Sequence, residues 1–210
     1  MIIKVCGMRE ADNIRQVEAL GIDWIGFIFY QRSPRYVNAV PEYLPQESKR
    51  VGVFVNEAPN VVSLRVREFG LNIVQLHGTE DTAYISSLRR LCPGITVIKA
   101  LNIATAQDLE QATPYCGMVD YLLFDTKAQL AGGNGTRFDW NVLDSYNGTL
   151  PFIISGGIGP DDAERISGFR HPMMAGIDLN SRFELSPGLK DTDALKSFLT
   201  DLETDSQQES

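Results

Sequence analysis

The feature that most constrains this chain is a repeat: eight short runs of aliphatic, β-branched and aromatic residues recur at roughly 25-residue intervals. They are Ile2 to Cys6, Trp24 to Phe29, Val51 to Val55, Ile73 to His77, Thr96 to Leu101, Tyr121 to Asp125, Phe152 to Ser155 and Ala175 to Leu179. Each run is nearly continuous in apolar character, as expected of a strand covered by helices on one side and by tight packing on the other. The interval leaves room for one strand, one helix and two short loops.

Helix-like stretches fill the intervals. The segment from Glu10 closes on Gly21, a natural C-terminal cap. Asn60 and Thr79 are placed to cap the third and fourth helices, and Pro93-Gly94 ends the latter. Thr105, Asp139 and Pro160 open three more, and the last is expected from Asp193 to Leu202. Pro41 and Pro45 make the helix after Tyr36 short or irregular. Eight strand-helix units in about 200 residues fit an α/β fold of the (β/α)8 TIM-barrel type as a single domain. A doubly wound open sheet is the competing architecture, but no Gly-x-Gly-x-x-Gly turn follows the first strand. The barrel is expected over residues 1–203, with 204–210 a polar, disordered tail.

Composition narrows the function. A net charge of −8 over 210 residues argues against a nucleic-acid partner, which would meet a clustered basic face. No apolar run approaches membrane-spanning length, and the opening residues MIIKVCG lack the parts of a signal peptide, so no membrane association and a cytoplasmic location are expected. Cys6, Cys92 and Cys116 need no disulfide in a reducing compartment. Their spacing matches no zinc pattern, and with two histidines no metal is expected. No helix face reads as an extended apolar interface, so a monomer is the default.

In a TIM barrel the chemistry sits where the strands end. Cys6 ends the first strand, and Lys4, two residues earlier, shares its face. The expectation is that the Lys4 ammonium favours the Cys6 thiolate, making it a base. Asp125 closes the apolar run YLLFD, and the Gly-rich loop that follows makes a simple helix cap a poor reading. The two residues would flank a ligand from roughly opposite walls, one as base and one as acid, with partial burial raising the Asp125 pKa. Gly156 and Gly157 present bare amides at a helix start, and Asn180 and Ser181 add donors; barrels often build a phosphate site from these two loops.

These residues resemble the phosphoribosylanthranilate isomerase family, over Lys4 to about Asp191. The likeness rests on KVCGM, GFIFYQRSPRYV, VGVFVN, VQLHG, LLFDT, GGNGTRFDW, ISGGIGP and GIDLNSRFELSPGLKD, in that order. It implies an aldose-ketose isomerase of tryptophan biosynthesis that converts N-(5-phosphoribosyl)anthranilate to 1-(2-carboxyphenylamino)-1-deoxyribulose 5-phosphate without a cofactor. By the same resemblance Cys6 is the general base and Asp125 the general acid. Arg35 binds the anthranilate carboxylate, Asp178 the ribose hydroxyls, and Gly156, Gly157, Asn180 and Ser181 the phosphate. Gly132, Gly133 and Gly135 belong to a covering loop. Asn180-Ser181-Arg182 stands where the family usually has serine-serine-glycine, and Asn134 where it has threonine.

Other residues have plainer readings. His77 is expected to make a structural hydrogen bond and His171 to face solvent. Lys99 should find a polar partner inside the barrel, and Trp24 and Trp140 should serve packing. The rival functions are an epimerase, which would want metal-binding histidines, an aldolase, which would use Lys99 as its nucleophile, and a non-catalytic phosphosugar-binding domain.

Overall fold

Period-two alternation along eight strands decides the architecture, because it supplies one apolar face for a lumen and another for a helix layer. The structure, a computed structural model, describes residues 1–126 and 139–208. Strands β1 (Ile2–Cys6), β2 (Trp24–Ile28), β3 (Lys49–Phe54) and β4 (Ile73–Leu76) are followed by β5 (Thr96–Ile103), β6 (Tyr121–Thr126), β7 (Phe152–Ser155) and β8 (Met174–Leu179). Every neighbouring pair is parallel and in chain order, and β8 closes on β1.

The lumen is filled from below by Trp24, Val51, Ile73, Ile98, Ala100, Leu123 and Ile153, against which Ile2 and Tyr121 pack. Trp24 and Tyr121 meet edge to face at 5.3 Å, an arrangement that suits the quadrupoles of both rings. Burial of each aliphatic side chain in this plug stabilises the barrel by roughly 1.5–3 kcal/mol. A second core lies between the strands and the helices. Because Ile98 and Ala100 point into the lumen, Lys99 points the other way. It lies outside the barrel, not inside as expected, and donates to Glu80 Oε2 at 2.9 Å and to the carbonyls of Leu76 and Gly78.

The helices are α1 (Ala11–Glu18), α2 (Pro59–Phe69), α3 (Thr82–Leu91), α4 (Ala163–Gly168) and α5 (Thr192–Gln208). Two expected caps are replaced. Helix α2 starts at Pro59, whose missing N–H costs nothing in a first turn, so Asn60 is already inside it. Helix α3 is capped by Asp81, whose carboxylate accepts from Tyr84 N, while Thr79 N donates to Asn56 Oδ1. Thr105 and Asp139 do cap, but the segments they open, Ala106–Tyr115 and Trp140–Ser145, are 3-10 helices, as is Pro160–Asp162. The stretch after β2 is irregular, as the two prolines imply. Helix α5 runs beyond Thr204, where a tail was expected to begin.

Between β8 and α5 lies an element the sequence reading did not anticipate: a small hairpin of β9 (Glu184–Ser186) and β10 (Leu189–Lys190). His171 also departs from expectation. It is partly buried, packs on Phe152 at 5.0 Å, accepts from Met173 N and meets the Tyr146 carbonyl, because the loop before β8 folds over the barrel end. No helix among the described residues is long and apolar enough to cross a membrane.

Candidate active site

The carboxyl ends of the strands open into a cavity of about 520 Å³, within the size range of small-molecule sites. Cys6, Gln75, His77, Asp125, Ser155, Gly156, Gly157, Asp178, Asn180 and Ser181 all line it. Strand parity explains the convergence. Lys4 and Cys6, Gln75 and His77, Leu123 and Asp125, and Asp178 and Asn180 are each two residues apart and so share a face.

Below the cavity floor, Lys4 and Asp178 are register partners on adjacent strands, and their side chains form an ion pair of 2.8 Å. Asp178 Oδ2 accepts from Ser155 Oγ at 3.3 Å. Burial is the largest influence and would lower the Lys4 pKa, but Asp178 and Cys6 together outweigh it and hold the ammonium above the ordinary lysine value. The Asp178 expected to hold ribose hydroxyls therefore serves first as counter-ion to Lys4, since a buried ammonium requires one. The expectation for Cys6 changes as well. Burial pushes its thiol up, and although Lys4 pulls it down, burial wins, so the resting group at neutral pH is the thiol.

Asp125 and His77 are the second feature. His77 Nε2 lies 3.4 Å from Asp125 Oδ2, and Gln75 Nε2 lies 3.1 Å from His77 Nδ1. With the Gln75 amide donating to Nδ1, the neutral imidazole carries its hydrogen on Nε2, the nitrogen nearer the Asp125 carboxyl. The structural hydrogen bond expected of His77 is the one to Gln75, a residue that carried no expectation from the sequence. The usable signal was parity: in IVQLH the polar residues fall on the lumen face at the mouth of the barrel.

The loop after β7 bends through two left-handed glycines, Gly156 (φ +98°) and Gly157 (φ +71°). A Cβ on Gly156 would lie 2.2 Å from the Thr126 carbonyl oxygen, so only glycine lets the loop cross β6. The Gly159 amide is committed to Asp162 Oδ2. Arg182 lies beside Gly159, its Nε 3.3 Å from where a Cβ would stand there, which sets an exposed guanidinium next to the phosphate loop. The two loops thus offer backbone donors, Asn180, Ser181 and a nearby cation, a set suited to an anion.

Arg35, expected to bind substrate, is not among the residues that line the cavity; its stem packs over Gly7, the residue after Cys6. Its Nε and Nη2 grip Glu184 in a two-pronged contact, with 2.8 Å from Nε to Oε1 and 2.5 Å from Nη2 to Oε2. Lys190 Nζ completes the cluster at 2.6 Å from Glu184 Oε1 and 2.8 Å from Asn180 Oδ1. Neither Glu184 nor Lys190 was singled out from the sequence. Both lie past the last barrel strand, and only the hairpin brings them back. Gly132, Gly133 and Gly135, expected to form a cover, fall outside the described residues. Among the described residues no cluster of three His, Cys, Asp or Glu side chains could hold a metal.

Comparisons with known proteins identify the relatives of this chain. The family model described as N-(5'-phosphoribosyl)anthranilate (PRA) isomerase matches residues 3–201. The N-(5'-phosphoribosyl)anthranilate isomerase of Parabacteroides distasonis is 51% identical to this chain, covering 95% of it and 92% of the relative. That of Phocaeicola vulgatus is 48% identical, covering 96% and 98%. Among solved structures, the phosphoribosyl anthranilate isomerase of Thermotoga maritima superposes with a TM-score of 0.80 at 33% identity, over 97% of this chain and 100% of the other. A phosphoribosyl anthranilate isomerase in complex with reduced 1-(o-carboxyphenylamino)-1-deoxyribulose 5-phosphate gives 0.78 at 31% identity, over 97% and 100%.

Proposed function

The chain belongs to the N-(5'-phosphoribosyl)anthranilate isomerase family, and from that premise we propose that Cys6 and Asp125 carry out its Amadori rearrangement as general base and general acid. The observation that supports this reading best is that both side chains line one cavity from strands three apart around the barrel, beside the anion-suited loops.

The reaction runs in three steps. Asp125 gives its proton to the furanose ring oxygen, the C1–O bond breaks, and the nitrogen lone pair forms the protonated imine. The Cys6 thiolate then takes the proton from C2, and the C–H pair flows into the imine to give an enolamine. In the tautomerisation C1 gains a proton and the C2 hydroxyl loses one to give the ketose, and exchange with solvent returns the proton now on Cys6 to Asp125, so the cycle closes with no net change in protons or electrons. The nitrogen is the electron sink, so this path uses only the groups the chain supplies. A raised Cys6 pKa leaves little thiolate at neutral pH, but each thiolate is the stronger base.

Gly156, Gly157, Asn180 and Ser181 anchor the phosphate, and Arg35 meets the anthranilate carboxylate, for which a planar guanidinium fork is suited. Asp178 lines the same cavity and reaches the ribose through whatever acceptor capacity Lys4 and Ser155 leave. The monomer is the proposed catalytic unit.

The test is the loss of anthranilate-type fluorescence change during turnover. Cys6→Ser and Asp125→Asn are each expected to lower kcat by about 10²–10⁴-fold while substrate still binds. Near-normal turnover in either variant would remove that residue from its role.

A further inference from the structure

Arg35 has two edges that can grip a carboxylate: the side edge, Nε with Nη2, and the end edge, Nη1 with Nη2. Glu184 holds the side edge, and among the described residues Nη1 makes no hydrogen bond. The Glu184 side chain is nearly inaccessible, at 4% exposure, whereas that of Arg35 retains 18%. The guanidinium is thus fixed through one edge by a buried carboxylate, and its other edge is left open. Its stem passes over Gly7, the residue after Cys6, where even a Cβ would lie 2.7 Å from Arg35 Cδ.

Glu184 is itself held. Lys190 Nζ and the Gly188 amide both donate to its Oε1. Burial alone would push its carboxyl up, but the hydrogen bonds from Arg35 and Lys190 outweigh it and keep the pKa below the ordinary glutamate value. At neutral pH one carboxylate therefore bridges two cations that would otherwise repel each other. The hairpin β9–β10 has a consequence for binding, because it delivers both Glu184 and Lys190 to this point.

We infer that Glu184 is a positioning residue for substrate selection: it locks the plane of Arg35 through one edge so that the other edge takes the carboxylate of the anthranilate ring. The inference rests on the reading of Arg35 given above. A guanidinium already oriented loses less freedom on binding, and an isolated Arg35 would be repelled from the site by Lys190.

The test compares two substrates, N-(5-phosphoribosyl)anthranilate and its carboxylate-free counterpart N-(5-phosphoribosyl)aniline, on the full-length wild type, Arg35→Ala, Glu184→Gln and the double variant. The readout is the ratio of kcat/KM between the substrates, in which any effect on Cys6 cancels. Arg35→Ala and Glu184→Gln are each expected to lower that ratio by about tenfold, the scale of one charge-assisted hydrogen bond. The double variant should fall no further than Arg35→Ala. An unchanged ratio in Arg35→Ala removes the role of Arg35 itself. A changed ratio in Arg35→Ala with an unchanged one in Glu184→Gln overturns only the assignment of Glu184. If Glu184→Gln does not fold, Glu184→Asp keeps the charge but retracts it, and the ratio should still fall; equal losses on both substrates overturn the inference.

Discussion

Lys4 Nζ and Asp178 Oδ1 meet at 2.8 Å across the β1–β8 seam, with side-chain exposures of 0% and 6%. The pair closes the barrel electrostatically where the last strand joins the first, directly beneath Cys6. It separates two roles that the sequence alone merges: Lys4 neutralises Asp178 before it assists the thiol.

Lys4→Met should therefore destabilise the fold by about 3–5 kcal/mol, because it strands a buried carboxylate. The sign with pH follows from the raised Lys4 pKa. The stabilisation is fully present below the unfolded lysine pKa and is lost only as pH rises through the folded one. Urea melts of both proteins at pH 7 and at strongly alkaline pH check this. A stability gap that is absent at pH 7 would refute the ion pair's weight.

The productive form pairs a Cys6 thiolate with a protonated Asp125, so kcat/KM should fall once pH passes the Cys6 pKa, where further deprotonation costs acid and adds no base. Burial has raised Cys6 above the ordinary thiol value, which puts this descending limb on the alkaline side of that value. Lys4 and Lys190 both pull the thiol down. Lys4→Met and Lys190→Met should each move the limb further toward high pH. A kcat/KM profile that already falls below the ordinary thiol pKa would contradict this.

His77→Leu removes a polar neighbour 3.4 Å from Asp125 Oδ2. The expected result is a loss of about tenfold in kcat with KM changed little, since the carboxyl loses one contact that steers it but the phosphate loops are untouched. Steady-state kinetics decide it: a change confined to KM would place His77 in substrate binding instead.

The two glycines of the phosphate loop should respond differently. Gly156→Ala drives a methyl group into the Thr126 carbonyl and should cost about 3 kcal/mol and weaken substrate binding. Gly157→Ala meets nothing within 4 Å and pays only the left-handed backbone penalty, about 1–2 kcal/mol. Thermal melts and KM values for the two variants give the comparison, and equal effects would mean the crossing at Thr126 is not what requires glycine.

The sequence by itself determined the strand count, the barrel, and the placement of Cys6, Asp125 and the Gly156-Gly157 loop, because these follow from local periodicity and from where a strand ends. His77 and Gln75 were legible in the same way, through parity, though only as neighbours of the cavity. Partnerships were decided by the tertiary structure. Asp178 lies 174 residues from Lys4 and Glu184 lies 149 from Arg35, and no spacing rule joins them. Closing the barrel brings the first pair together, and folding the β9–β10 hairpin back brings the second. The net pKa of Cys6 is likewise a property of the closed barrel, since burial and Asp178 from the far end of the chain raise it while neighbouring Lys4 and distant Lys190 lower it.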